Sequence, residues 1–166
     1  SSEDLSSGMR EVMDGVNNSL STFNKNSVIS KINNNEEVVL DTLFTNMFAK
    51  AMEISEFTGG GFDITVAPLV NAWGFGFDPS SDKKWLSAAE IDSIKQFVGY
   101  KKVWIEGGKV VKLDPRVMLD ASAIAKGYGC DLVAEYLRSM GCENFMVDIG
   151  GELVVGGVNP NRTKWR

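Results

Sequence analysis

Leu119-Asp120-Ala121-Ser122-Ala123-Ile124-Ala125-Lys126-Gly127-Tyr128 is a short apolar strand that ends in a carboxylate and turns at once into a helix. An acid at a strand end, small residues that let a ligand approach the backbone, and a lysine at the helix start together suit a phosphorylated ligand with a divalent cation. Asp120 has a structural alternative as a cap for the helix that begins near Ser122. Lys126 stands where the helix macrodipole disfavours a cation, so a compensating anion is expected beside it.

Downstream of this run, Tyr128, Leu132, Val133, Tyr136 and Leu137 continue the helix to Gly141, and Asn144–Ile149 reads as a strand. Upstream, Val117-Met118-Leu119 completes a strand-helix-strand crossover unit. Glu152–Val155 is a further strand, separated from the preceding one by Gly150-Gly151. Lys101–Glu106 and Lys109–Leu113 flank Gly107-Gly108, the pattern of a two-residue hairpin.

The earlier half is mostly helical. Met9, Val12, Met13, Val16 and Leu20 predict an amphipathic helix over residues 8 to 22, and residues 27 to 33 one helical turn leading into an Asn-rich loop. Residues 36 to 40 form a short strand or extended entry to a helix capped by Asp41. That helix carries a broad apolar face from Leu43 to Ile54 and ends at Gly59. Pro68 opens a short helix toward Trp73, and Ser87-Ala-Ala-Glu90 is a capping box for a helix through about Phe97 that Gly99 terminates. Helices mixed with hairpins point to an α+β or mixed α/β architecture, not a regular doubly wound one.

The chain has 166 residues, enough for one domain with a real core. Its net charge of -5 and the lack of a basic patch argue against a nucleic-acid surface. Two cysteines, Cys130 and Cys142, are too few for a disulfide framework and read as buried thiols. With His 0, no nucleophile with a histidine base and no histidine metal site exists within the chain. Any metal must take oxygen ligands, which favours magnesium or calcium. No apolar run approaches the length of a membrane span. The opening Ser1-Ser2-Glu3-Asp4 and the strand-like Lys164-Trp165-Arg166 are expected of a piece cut from a longer chain.

Gly59-Gly60-Gly61-Phe62-Asp63 is a second candidate segment, in which glycines free amides to face an anion and Asp63 accepts hydrogen bonds from a ribose or base edge. The competing explanation is a helix C-cap for the glycines and a turn cap for Asp63. Gly74-Phe75-Gly76-Phe77 is a glycine-aromatic loop of the kind that covers flat ligands or simply packs. Gly150-Gly151-Glu152 again places glycines and an acid after a strand, with a tight turn as the alternative.

Residues 19–33, Gly60–Val70 with Trp73-Gly74-Phe75-Gly76, Leu119–Tyr128 and Val147-Asp-Ile-Gly-Gly-Glu152, taken in order, resemble the ApbE family of FAD:protein FMN transferases. The resemblance runs from about Gly8 to Arg166 and implies an α+β fold related to the T-fold, a mixed sheet packed with helices. It implies a single domain over residues 1–166, incomplete because an N-terminal strand and a C-terminal part are absent. The implied activity cleaves FAD with Mg2+ and attaches FMN to a threonine of a target protein by a phosphoester bond. The alternatives are a pyrophosphatase releasing FMN and AMP, or a non-catalytic FAD-binding protein.

By the same resemblance, Gly61, Phe62 and Asp63 occupy an FAD contact, with Gly61 in place of a commoner alanine. Asp120 and Lys126 match an FAD-binding acid and lysine, and Ala123 stands where a backbone carbonyl ligates magnesium. The catalytic base and an Asp and Thr pair completing the metal site are expected beyond Arg166. The implied acceptor is a flavoprotein of a redox-driven ion pump or related electron carrier. The implied location is the periplasm or the outer face of the cytoplasmic membrane, with a lipid anchor on the full-length protein.

Overall fold

The computed structural model describes residues 4–76 and 85–166; Phe77 of the glycine-aromatic loop lies outside them. The chain divides into two compact units, Ser1–Asn17 with Ala123–Arg166, and Asn18–Ser122.

The first unit contains most of α1 (Ser6–Leu20), α6 (Ser122–Ser139) from Ala123 onward, and the hairpin of β3 (Phe145–Ile149) with β4 (Glu152–Gly156). Its core is Cys130, Val133, Ala134 and Leu137 from α6 with Phe145 and Val147 from β3, against which Met9, Val12 and Met13 of α1 pack. The 3.6-residue spacing of these α1 positions puts them on one stripe, which explains the contact. Gly8 lets α1 approach closely: a Cβ there would lie 2.1 Å from the Tyr136 hydroxyl. In the hairpin, Val147 faces Val154 and Ile149 faces Glu152, and Gly150 and Gly151 have φ of +61° and +97°. Two consecutive positive φ angles match the twist of a two-residue turn and suit glycine.

The second unit holds α2 (Val28–Asn33), α3 (Thr42–Phe57), α4 (Ala67–Ala72), α5 (Ala88–Lys95), and the hairpin of β1 (Val103–Glu106) and β2 (Lys109–Lys112) around Gly107-Gly108. Asp41 caps α3 as predicted, accepting from Phe44 N at 2.7 Å, and Ser19 braces the same carboxylate at 2.8 Å. The apolar face of α3 buries Phe44, Met47, Phe48 and Ala51. The capping box is present on α5, with Ser87 N donating to Glu90 Oε2 at 2.8 Å.

The expected α+β class holds, its strands among the described residues lying in two antiparallel hairpins; the corrections are local. Val117-Met118-Leu119 forms no strand beyond one parallel bridge from Met118 to Val66, so the crossover unit is not formed. The reason lies in its partners: the buried Asn33 side chain accepts from Leu119 N at 2.7 Å and donates to Leu119 O at 2.8 Å. A side-chain amide thereby fills the place of a neighbouring strand. Residues 36 to 40 are extended without a ladder, and Lys164-Trp165-Arg166 is irregular, with Trp165 Nε1 donating to Gly156 O at 2.9 Å. Cys130 is buried and Cys142 half-buried, both free thiols. Burial pushes the Cys130 thiol pKa up.

Candidate functional site

Gly61, Phe62, Asp63 and Asp120 belong to the second unit, and Ala123 and Lys126 to the first. The glycine segment begins as the C-cap of α3. Gly60 N reaches Ser55 O at 2.8 Å and Gly59 N reaches Glu56 O at 3.1 Å, the bond pair of a Schellman motif. Gly59 and Gly60 have φ of +60° and +88°. The capping explanation of these two glycines therefore holds. Phe62 N is tied to Thr58 Oγ1 at 3.0 Å, which fixes the turn that exposes Gly61.

Asp63 is held by the fold on both carboxylate oxygens. Oδ1 accepts from Thr65 N at 2.8 Å and from Thr65 Oγ1 at 2.6 Å, and Oδ2 accepts from Tyr100 N at 2.8 Å. Thr65 Oγ1 accepts in turn from Gly99 N at 2.7 Å, so Asp63 and Thr65 clamp the turn that leads into β1. The turn-cap role is thus present; a ligand contact would use the remaining lone pair of a half-buried carboxylate.

Asp120 is brought next to this segment, because its amide donates to Ile64 O at 2.8 Å. Its Oδ1 accepts from Ser122 N at 2.7 Å and so serves one of the orphan amides at the start of α6. Oδ2 takes no hydrogen bond among the described residues. Ala123 is exposed in the opening turn of α6.

Lys126 lies one turn further along, its side chain 49% exposed. Its Nζ is 2.8 Å from Glu152 Oε2 and 3.4 Å from Gly150 O. The anion that the helix dipole demands beside Lys126 is therefore Glu152, an internal carboxylate. Lys126 in turn holds the Glu152 carboxyl below the usual carboxylate range. Asp148 Oδ1 accepts from Gly151 N at 2.9 Å and stiffens the turn that presents Glu152.

For magnesium, no cluster of three or more acidic, Cys or His side chains exists among the described residues. Ala123 offers a single hard oxygen whose first lone pair belongs to the helix ladder. These residues alone do not build a cation cage.

A sequence model described as the ApbE family matches residues 2–166. The chain belongs to the ApbE family. Among its relatives, the FAD:protein FMN transferase of Vibrio cholerae is 36% identical over 168 residues, covering 99% of this chain and 50% of that protein. The Haemophilus influenzae FAD:protein FMN transferase is 33% identical over 173 residues, again with 99% and 50% coverage. The solved flavin transferase ApbE of Vibrio cholerae superposes at a TM-score of 0.92 with 35% identity, covering 100% of this chain and 54% of that one. The apo flavinyl transferase ApbE of Pseudomonas stutzeri gives 0.88 at 27% identity, covering 100% and 56%. The chain thus spans about half the length of the ApbE relatives it matches, and its α+β fold is theirs.

Three residues with positioning roles escape sequence reasoning. Asn33 reads as the end of a helical turn, with nothing to show that it pins Leu119. Thr65 and Thr58 carry no periodic signal: Thr58 acts on Phe62 N four residues on, and the Gly99 partner of Thr65 is brought near only by the fold.

Proposed function

We propose that this ApbE chain is part of a magnesium-dependent FAD:protein FMN transferase, which cleaves FAD and attaches FMN by a phosphoester bond to a threonine of a target flavoprotein. The observation that carries the proposal is similarity to FAD:protein FMN transferases over 99% of the chain, in a segment where Lys126 stands exposed at the start of α6 among small residues. Lys126 would neutralise a phosphate of FAD. Asp63 and Asp120 would hold polar edges of the nucleotide, and Gly61 and Phe62 would admit the flavin nucleotide to the backbone. The carbonyl of Ala123 would be one ligand of Mg2+, whose other oxygens would come from FAD, water and residues beyond this set. Magnesium, if held there, would supply charge stabilisation at the phosphate.

The family match across both units, from residue 2 to 166, supports treating them as parts of one flavin-transferase domain. On the family resemblance we further place the enzyme in the periplasm or at the outer face of the cytoplasmic membrane, lipid-anchored in its full-length form. Its acceptor on that basis is a flavoprotein of a redox-driven ion pump or related carrier. Among the described residues no helix is long and apolar enough to cross a membrane.

The test incubates the full chain as the cell makes it with FAD, Mg2+ and a threonine-bearing acceptor, followed by mass spectrometry. A mass gain of one FMN with release of AMP is expected. AMP without an adduct would replace the transferase by a pyrophosphatase, and FAD binding without turnover would reduce it to a binding protein.

A further inference from the structure

The side chains of Lys126 and Glu152 are half-exposed, at 49% and 41%, although Glu152 Oε2, the oxygen 2.8 Å from the ammonium, is itself buried; it is on the lysine side that another anion can compete. The geometry is nonetheless set. Glu152 is the first residue of β4, directly after a turn fixed by two positive-φ glycines and by the bond from Gly151 N to Asp148. The stem of Lys126 lies over that turn, since a Cβ on Gly150 would sit 3.5 Å from Lys126 Cδ. Gly150 O adds a weaker acceptor at 3.4 Å. The ammonium is therefore aimed by the hairpin before any ligand arrives.

We propose that Glu152 is a positioning residue that acts as the stand-in anion for Lys126: it holds the ammonium in the free protein and yields it to a phosphate of the incoming nucleotide. This rests on the reading of Lys126 as a phosphate contact. Binding is then an exchange of one anion for another, and the nucleotide spends part of its attraction on displacing Glu152. A single exposed carboxylate is a weak competitor for a diphosphate. The exchange consequently favours doubly charged ligands and rejects weakly charged ones, which gives the lysine a selectivity that an unpaired cation would lack.

The test measures ADP, the diphosphate portion of FAD, binding to the full chain by titration calorimetry in chelator, so that neither turnover nor metal enters the result. Glu152→Gln keeps the size of the side chain and removes its charge. It is expected to tighten ADP binding roughly two- to fivefold, the equivalent of one exposed ion pair. The gain should shrink between about 50 mM and about 200 mM salt as screening grows, and vanish in a Lys126→Met background. Unchanged or weaker binding by Glu152→Gln, or a gain that survives in Lys126→Met, would overturn the exchange while leaving the FAD assignment standing. Failure of the unsubstituted chain to bind either ADP or FAD would overturn that assignment, and the exchange with it.

Discussion

Replacing Asn33 with alanine removes both partners of the Leu119 backbone at once. Leu119 is fully buried and Asn33 is 5% exposed, so water does not replace the lost bonds at 2.7 and 2.8 Å. Leaving a buried donor or acceptor unsatisfied costs about 1–3 kcal/mol, so two such groups cost about 2–6 kcal/mol. That is a large fraction of the ~5–15 kcal/mol that holds an ordinary domain. Taking ~3 kcal/mol and a urea slope of ~2 kcal/mol/M, the midpoint falls by ~1.5 M. Tryptophan fluorescence is a suitable probe, because Trp73, Trp85 and Trp104 all lie in the unit containing Asn33. Asn33→Asp is the informative control. It keeps an acceptor for Leu119 N but sets a second oxygen against Leu119 O, so it should rescue little. A midpoint shift below ~0.3 M for Asn33→Ala, or full rescue by Asp, would refute the argument that this amide substitutes for a strand.

Other consequences can be checked alongside. Thr65→Val strips Asp63 and Gly99 of one bond each, so thermal unfolding should show a loss of about 1–3 kcal/mol, with FAD affinity of the folded protein little changed; Asp63→Asn should lower both. The Arg116 guanidinium, bonded to Asp114 at 2.9 and 2.7 Å, holds that carboxyl down at about 2. The folded-state value is depressed, so its stabilisation is complete above the unfolded value near 3.8 and is lost as pH falls toward about 2; acid titration of Arg116→Met should lack that component. Burial lowers Lys112 to about 8 from 10.5. The unfolded chain therefore binds more protons between those values, and stability should rise with pH across that window in the native chain but not in Lys112→Met. Phe145→Ala, emptying a core position, should cost about 3–5 kcal/mol by urea unfolding.

How much of this was legible in the sequence depended on whether the signal was local. The caps at Asp41 and Ser87, the two glycine hairpins and the stripe Met9, Val12 and Met13 were all readable, because each is written within one or two turns of chain. The strand assigned to Val117–Leu119 failed for the opposite reason. Its apolar run predicts an extended chain correctly, but what it pairs with is decided by Asn33, 86 residues away. Of the site, the residue types, their order and the local capping bonds of Asp63 to Thr65 and of Asp120 to Ser122 were visible, whereas the bond from Tyr100 N to Asp63 was not, because no spacing rule announces a partner 37 residues away.

Lys126 shows how the structure changes the weight of a sequence argument without reversing it. A cation in the opening turn of a helix is unfavourable by about 0.3–1 kcal/mol, and from sequence alone that mismatch argues for a bound anion; Lys126 is the fifth residue of α6, where the effect has already faded. Glu152 at 2.8 Å supplies one from within the chain, so the mismatch by itself no longer requires a ligand. Yet a pair retained only for stability has little reason to sit half-exposed, where its worth is small. A lysine whose stem lies over a glycine turn and whose partner is a single half-exposed carboxylate fits the proposed exchange for a stronger anion better than it fits a stabilising contact.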